Sequence, residues 1–85
     1  MHEGTVVREI ISIVGEAAIA NDIQKVYEII LKVGPYSCIH EKQLNWYFEI
    51  MSKDTCMENV IIKLEKDETI IGVNQMYIKT FKGEL

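Results

Sequence analysis

The chain reads as an α+β domain in which two helices pack on one face of a three-stranded sheet, in the order α-β-α-β-β. Three observations lead there. Residues 6–18 place apolar side chains at helical spacing, and residues 25–33 are dense in β-branched and aromatic types. A second helix-period segment, 41–52, is then followed by two short β-rich stretches, 59–66 and 74–81. The 85 residues suffice for one domain with one modest core.

The first helix is expected from about residue 4 to 20. Val6, Ile10, Ile13 and Ala17 fall at i, i+4, i+7 and i+11, widened by Val7, Ile11, Val14 and Ala18. Arg8, Glu9, Ser12 and Glu16 take the other side. Thr5 is the expected N-cap, and Asn21 the expected left-handed residue that closes the helix. Gly15 weakens the helix interior by roughly 1 kcal/mol relative to alanine. In the strand over 25–33, Tyr27, Ile29, Leu31 and Val33 are expected to face the helices, with Val26, Glu28, Ile30 and Lys32 on the other face. Gly34-Pro35 ends it, because proline donates no ladder hydrogen bond.

The second helix buries Leu44, Tyr47, Phe48 and Met51, and Glu41 near its start complements the helix dipole. Trp46 and Ile50, one turn apart, flank that stripe as further core or as a partner contact. In the second strand Val60, Ile62 and Leu64 point inward, with Lys63 and Glu65 on the alternate face. About 25 residues including a helix separate the first two strands, enough for a crossover. The second and third strands are close in sequence and are expected to pair as a hairpin around Asp67-Glu68.

Composition excludes several classes. Nine basic against 13 acidic residues give a net charge of -4, and the basic residues are scattered, so a nucleic-acid surface has no support. No apolar run approaches the roughly 20 residues of a membrane span, and no signal-peptide pattern opens the chain. Cys38 and Cys56 are isolated and read as free thiols, and a reducing cytoplasm is the simplest compartment. There is no Cys-His nucleophile pair and no phosphate-cradling glycine loop, and Gly15, Gly34, Gly72 and Gly83 are dispersed. An enzyme is not expected.

The chemistry lies at Met1-His2-Glu3. A histidine second from a free amine offers its imidazole nitrogen, its own main-chain nitrogen and a neighbouring nitrogen of Met1 or Glu3, which close fused chelate rings. A planar nitrogen set suits Cu(II) or Ni(II) better than Zn(II) or Mg(II). At pH 7 the His2 imidazole is mostly neutral, given an ordinary pKa of about 6.5. Main-chain nitrogens ligate only after losing a proton, so binding strengthens with pH. The competing reading is an ordinary frayed terminus.

Taken in order, Met1-His2-Glu3, the helix through Val6-Val7-Arg8-Glu9-Ile10-Ile11, the strand Val26-Tyr27-Glu28-Ile29-Ile30-Leu31-Lys32-Val33, Gly34 with Ser37, and Leu44 with Phe48-Glu49 resemble the HypA family. The closing stretch Gly72-Val73-Asn74-Gln75-Met76-Tyr77-Ile78-Lys79-Thr80 resembles that family's last strand. These are the nickel metallochaperones of hydrogenase, and sometimes urease, maturation. The resemblance implies Ni(II) held by His2, Glu3 and the main chain of Met1. It also implies a maturation GTPase of the HypB type and a nickel-enzyme subunit as partners. His40 stands where some relatives place an acidic residue, which makes it a further candidate ligand; the plain reading is an exposed histidine at a helix start.

One departure is large. The family carries two Cys-x-x-Cys pairs in a zinc module, whereas here Asp67-Glu68-Thr69 alone separates Glu65-Lys66 from Ile70-Ile71-Gly72. The expectation is one nickel-binding domain over 1–85, with the zinc module absent between about 66 and 72 and no structural zinc. Two function classes follow: a nickel-carrying accessory protein, or an interaction module that kept the fold and lost metal delivery. Unpaired sheet edges and the apolar stretch Thr69-Ile70-Ile71-Gly72-Val73 suggest a homodimer, with the C-terminal strand as a swapped element.

Overall fold

Five elements follow in the expected order: α1 (Glu3–Ala20), β1 (Lys25–Val33), α2 (Glu41–Met51), β2 (Ile61–Lys66) and β3 (Met76–Glu84). The computed structural model describes the backbone from Glu3 and the side chains from Gly4 onward; Met1, His2 and the Glu3 side chain lie outside the described residues. Among the described residues no helix is long and apolar enough to cross a membrane.

The buried stripe of α1 is Val6, Val7, Ile10, Val14 and Ala18. The sequence offers two adjacent apolar rows, and the sheet takes the one through Val7, Val14 and Ala18. Ile13, expected in the core, is 57% exposed; with Ala17 it borders a shallow depression against Ile78 and Phe81. The helix is already formed at Glu3, so Thr5 lies inside its first turn and is no cap. At the other end the left-handed residue is Asp22 (φ 56°), one position beyond the expected Asn21. Ile23 N–H donates to Ala18 O (2.9 Å) and Asp22 N–H to Ile19 O (3.2 Å), the paired closure that satisfies the last carbonyls. The Asn21 side-chain amide donates back to Ala17 O at 2.7 Å.

The sheet order is β2-β1-β3, with β1 parallel to β2 and antiparallel to β3. The expected β2–β3 hairpin is therefore not formed. β1 is the strand richest in buried residues, and the central position gives it two neighbours. β3 pairs along its whole length, from Lys25↔Glu84 to Val33↔Met76. The expected facing of β1 holds for Ile29, Leu31 and Val33 and reverses at its start. A register shift between Val26 and Glu28 marks an extra residue, so Val26 is fully buried and Tyr27 is 44% exposed. A one-residue bulge moves every preceding side chain to the opposite face.

Because β1 lies between them, the chain leaving β2 must cross the end of β1 to reach β3. Residues 67–75 make that crossing. Asp67 N–H donates to Val33 O (2.7 Å), Ile70 N–H to Asp67 O (3.1 Å), and Cys38 N–H to Val73 O (3.1 Å). The crossing lies directly on Gly34, where an added Cβ would collide with the Ile70 carbonyl oxygen. Gly34 is required for space.

The outer edge of β2 is closed by side chains of α2. Ile62 N–H donates to Asn45 Oδ1 (2.9 Å), and Asn45 Nδ2 donates to Ile62 O (3.0 Å). The Asn45 amide thus fills the place a neighbouring strand would take. One turn earlier, Glu41 Oε2 accepts from Leu64 N–H at 2.9 Å. Leu44 and Phe48 on the same helix are fully buried against the sheet.

Two outcomes follow. Gly34→Ala forces a methyl group into a backbone carbonyl and lowers stability by about 2–3 kcal/mol, read as a fall in Tm on the order of 10 °C or more. Asn45→Ala leaves the β2 edge unpartnered and loses about 1–2 kcal/mol. Thermal melts of both variants check these values, and a wild-type Tm for Gly34→Ala would remove the close crossing.

Candidate metal site

The first turn of α1 lies between the Tyr47 ring and the crossing. A Cβ at Gly4 would lie 3.5 Å from Tyr47 Cε1, so the helix start rests on the Tyr47 ring. That ring meets Trp46 edge-on, with centroids 5.0 Å apart and planes at 82°. On the other side Val6 and Glu9 border a depression of about 430 Å³ shared with Ile70, Asn74 and Gln75. The start of α1 therefore sits beside the crossing between β2 and β3. Of the expected ligands, Glu3 contributes the first residue of α1 by its backbone; Met1 and His2 lie outside the described residues.

His40 occupies the position before α2 in extended conformation (φ -111°, ψ 128°), and its side chain makes no capping hydrogen bond. Its carbonyl accepts from Leu44 N–H at 3.0 Å, and its exposed ring borders an open depression with Lys42, Gln43 and Trp46. Ser37 Oγ shapes the approach by accepting from Ile39 N–H at 3.0 Å. Cys38 is exposed and Cys56 half-buried, both free thiols. Among the described residues no three His, Cys, Asp or Glu side chains are grouped to hold a metal ion. His40 therefore has no companion ligand there.

Carboxylates on the open sheet face are engaged otherwise. Glu28 on β1 pairs with Lys63 of β2 (3.0 Å) and Lys82 of β3 (3.6 Å), a row across all three strands. Glu65 takes Lys32 (2.8 Å) and Lys79 (3.1 Å). The Lys63 hydrogen bond holds Glu28 below the usual carboxylate range, and those of Lys32 and then Lys79 do so for Glu65. Reciprocally, Glu65 raises Lys32 and Glu28 raises Lys63. Asp67, at the start of the crossing, is lowered first by the Thr69 hydroxyl and amide and then by Tyr77, whose hydroxyl donates to it at 2.9 Å. These groups organise the sheet and its exit. Alternation in β1 and β2 predicted a polar face, but the three-strand rows depend on β1 being central, which the sequence did not reveal.

Against this geometry the comparisons with known proteins are direct. Residues 1–75 match the family model described as HypA, hydrogenase/urease nickel incorporation metallochaperone. The chain belongs to the HypA family. A hydrogenase maturation factor HypA from Actinobacillus succinogenes is 42% identical over 59 residues, covering 69% of this chain and 52% of the relative. The factor of the same name from Salmonella typhimurium is 26% identical over 68 residues, covering 80% and 58%. The chain thus spans about half the length of the curated relatives it matches. The solution structure of the nickel metallochaperone HypA from Helicobacter pylori superposes with a TM-score of 0.79 at 15% identity, over 99% of this chain and 98% of that one. At that identity the likeness concerns the fold, and it bears out two helices with a three-stranded sheet.

The ion pairs carry a pH expectation. A carboxylate whose folded pKa is depressed stabilises the fold above its unfolded value and loses that contribution as pH falls through the folded value. Stability should therefore drop through the acid carboxylate range, below about pH 4. Glu28→Gln and Glu65→Gln should show a shallower drop than wild type, and salt should narrow the difference at neutral pH. Thermal melts across acid pH measure both; parallel curves for all three proteins would deny the carboxylates this role.

Proposed function

We propose that this protein is a nickel-carrying accessory factor for maturation of a nickel enzyme of the [NiFe] hydrogenase kind, with residues 1–85 acting as one nickel-binding domain. The observation that carries the reading is the family match that begins at residue 1 and so includes Met1-His2-Glu3. Nickel is cargo here. Its ligands are the His2 imidazole and main-chain nitrogens of Met1, His2 and Glu3, with the Glu3 carboxylate as an outer partner. The planar preference of Ni(II) suits such a nitrogen set. By family, the partners are a HypB-type GTPase and the recipient enzyme subunit. No catalytic step is assigned to the chain. With no membrane-spanning helix among the described residues, a cytoplasmic setting agrees with this role.

Calorimetric titration with Ni(II) tests the site. The wild-type chain should bind about one equivalent, with affinity rising and protons released as pH increases. His2→Ala, and a version extended by two residues ahead of Met1, should each lose binding by at least about tenfold. Equal binding by all three would exclude the N-terminal site.

A second reading has its own observation. Cys38 and Cys56 are the only cysteines, so the chain has no two Cys-x-x-Cys pairs. On that reading it is an interaction module that has lost metal delivery, and the titration separates the two. Both readings share an expectation: the domain folds without zinc, because the direct crossing over Gly34 joins β2 to β3. Circular dichroism before and after a strong chelator should be unchanged, whereas a domain built on structural zinc unfolds when stripped.

A further inference from the structure

The outer side of α2 has no intramolecular partner among the described residues. At about 100° per residue, Lys42, Trp46 and Glu49 share one arc with Ile50 at its border, opposite the buried Leu44 and Phe48. Trp46 is 56% and Ile50 52% exposed. Four ion pairs form on the sheet face, yet none of those described engages Lys42 or Glu49. Beside Trp46 lies a largely apolar depression of about 610 Å³ bordered by His40, Lys42 and Gln43.

We propose that this side of α2 is the contact surface of a homodimer, with two copies of α2 crossing antiparallel about a twofold axis beside Trp46. Both the knob and the hole lie on one helix. Ile50 projects one turn beyond Trp46, and the depression lies one turn before it. An antiparallel twofold places the partner's Ile50 in the depression and repeats the contact in reverse, as an isologous interface requires. The charges agree with that direction. Lys42 precedes the axis and Glu49 follows it, so Lys42 meets the partner's Glu49 at both ends. A parallel arrangement would oppose like charges instead. The edge-on contact with Tyr47 fixes the Trp46 ring, so little side-chain freedom is lost on association.

The sheet edges are poorer candidates. Asn45 and Glu41 already occupy the edge amides of Ile62 and Leu64 on β2, which leaves only the outer edge of β3 for strand pairing or exchange. The α2 contact is small. Eleven residues of helix span about 16 Å, at the low end of interface sizes, so the dimer dissociates at micromolar concentrations.

Sedimentation velocity over about a thousandfold range of concentration tests this, read beside Trp46 emission. Trp46 is the sole tryptophan, so its fluorescence reports on the interface. The expected result is a mass rising from one chain toward two, with emission moving to shorter wavelength in step. Ile50→Glu should weaken association by about a hundredfold or more. Lys42→Glu and Glu49→Lys should each weaken it roughly threefold to tenfold, and the two together should restore wild-type association. Circular dichroism confirms that these surface variants keep the fold. A single-chain mass throughout overturns the proposal, also where the lone chain binds a GTPase through α2. A dimer indifferent to Ile50→Glu, or one that leaves Trp46 emission unchanged, overturns it as well and places the contact at β3.

Discussion

The position of β1 between a parallel and an antiparallel neighbour is the constraint on which the rest of this structure depends. It buries Val26, Ile29, Leu31 and Val33 beneath the helices and places Glu28 between lysines of both flanking strands. It also separates β2 from β3, so the chain must pass over the end of β1. Gly34 is where that passage touches down, close enough that a Cβ would collide with the Ile70 carbonyl. The path from β2 to β3 is thus a tied-down bridge, anchored by Asp67 to Val33 and by Val73 to Cys38.

The bridge joins β2 to β3 directly, where the family resemblance implies a zinc module. A structural zinc site contributes folding energy outright. Here the connection instead completes itself with backbone hydrogen bonds, an Asp67–Thr69 turn and the Tyr77 hydroxyl on Asp67. The same bridge forms one wall beside the first turn of α1, with Tyr47 as the other. The residues that launch the Met1-His2-Glu3 segment are therefore set by packing that needs no metal. On the proposed reading, function rests on the chemistry of that segment more than on the fold beneath it.

Much of this architecture was legible in the residues. Apolar spacing placed both helices, and β-branched density placed all three strands to within a few residues. Pairing was not legible, because closeness in sequence favoured a β2–β3 hairpin and nothing local marks β1 as central. The bulge at Tyr27 is hidden for a related reason: strict alternation cannot announce where it slips, so it places Tyr27 in the core and Val26 on the open face. In α1 the two apolar rows were equally plausible until the sheet selected one, leaving Ile13 outside. Asn45 carried no periodic signal, since its role depends on a strand 17 positions away. At the candidate site the motif itself is plain in the sequence, and among the described residues His40 has no grouped His, Cys, Asp or Glu donors beside it. The Tyr47 support for the helix start depends on α1 and α2 packing side by side, which sequence spacing does not encode.

The central claim is that a chain without the zinc module presents nickel through nitrogens at its N-terminus. X-ray absorption spectroscopy of the protein loaded with one equivalent of Ni(II) addresses that claim most directly. A near-planar set of nitrogen and oxygen ligands, with scattering from one imidazole that vanishes in His2→Ala, is the predicted result. Thiolate sulfur in the coordination shell, lost in Cys38→Ala or Cys56→Ala, would assign the metal to a cysteine, and an imidazole signal that survives His2→Ala would assign it to His40. Either outcome contradicts the account.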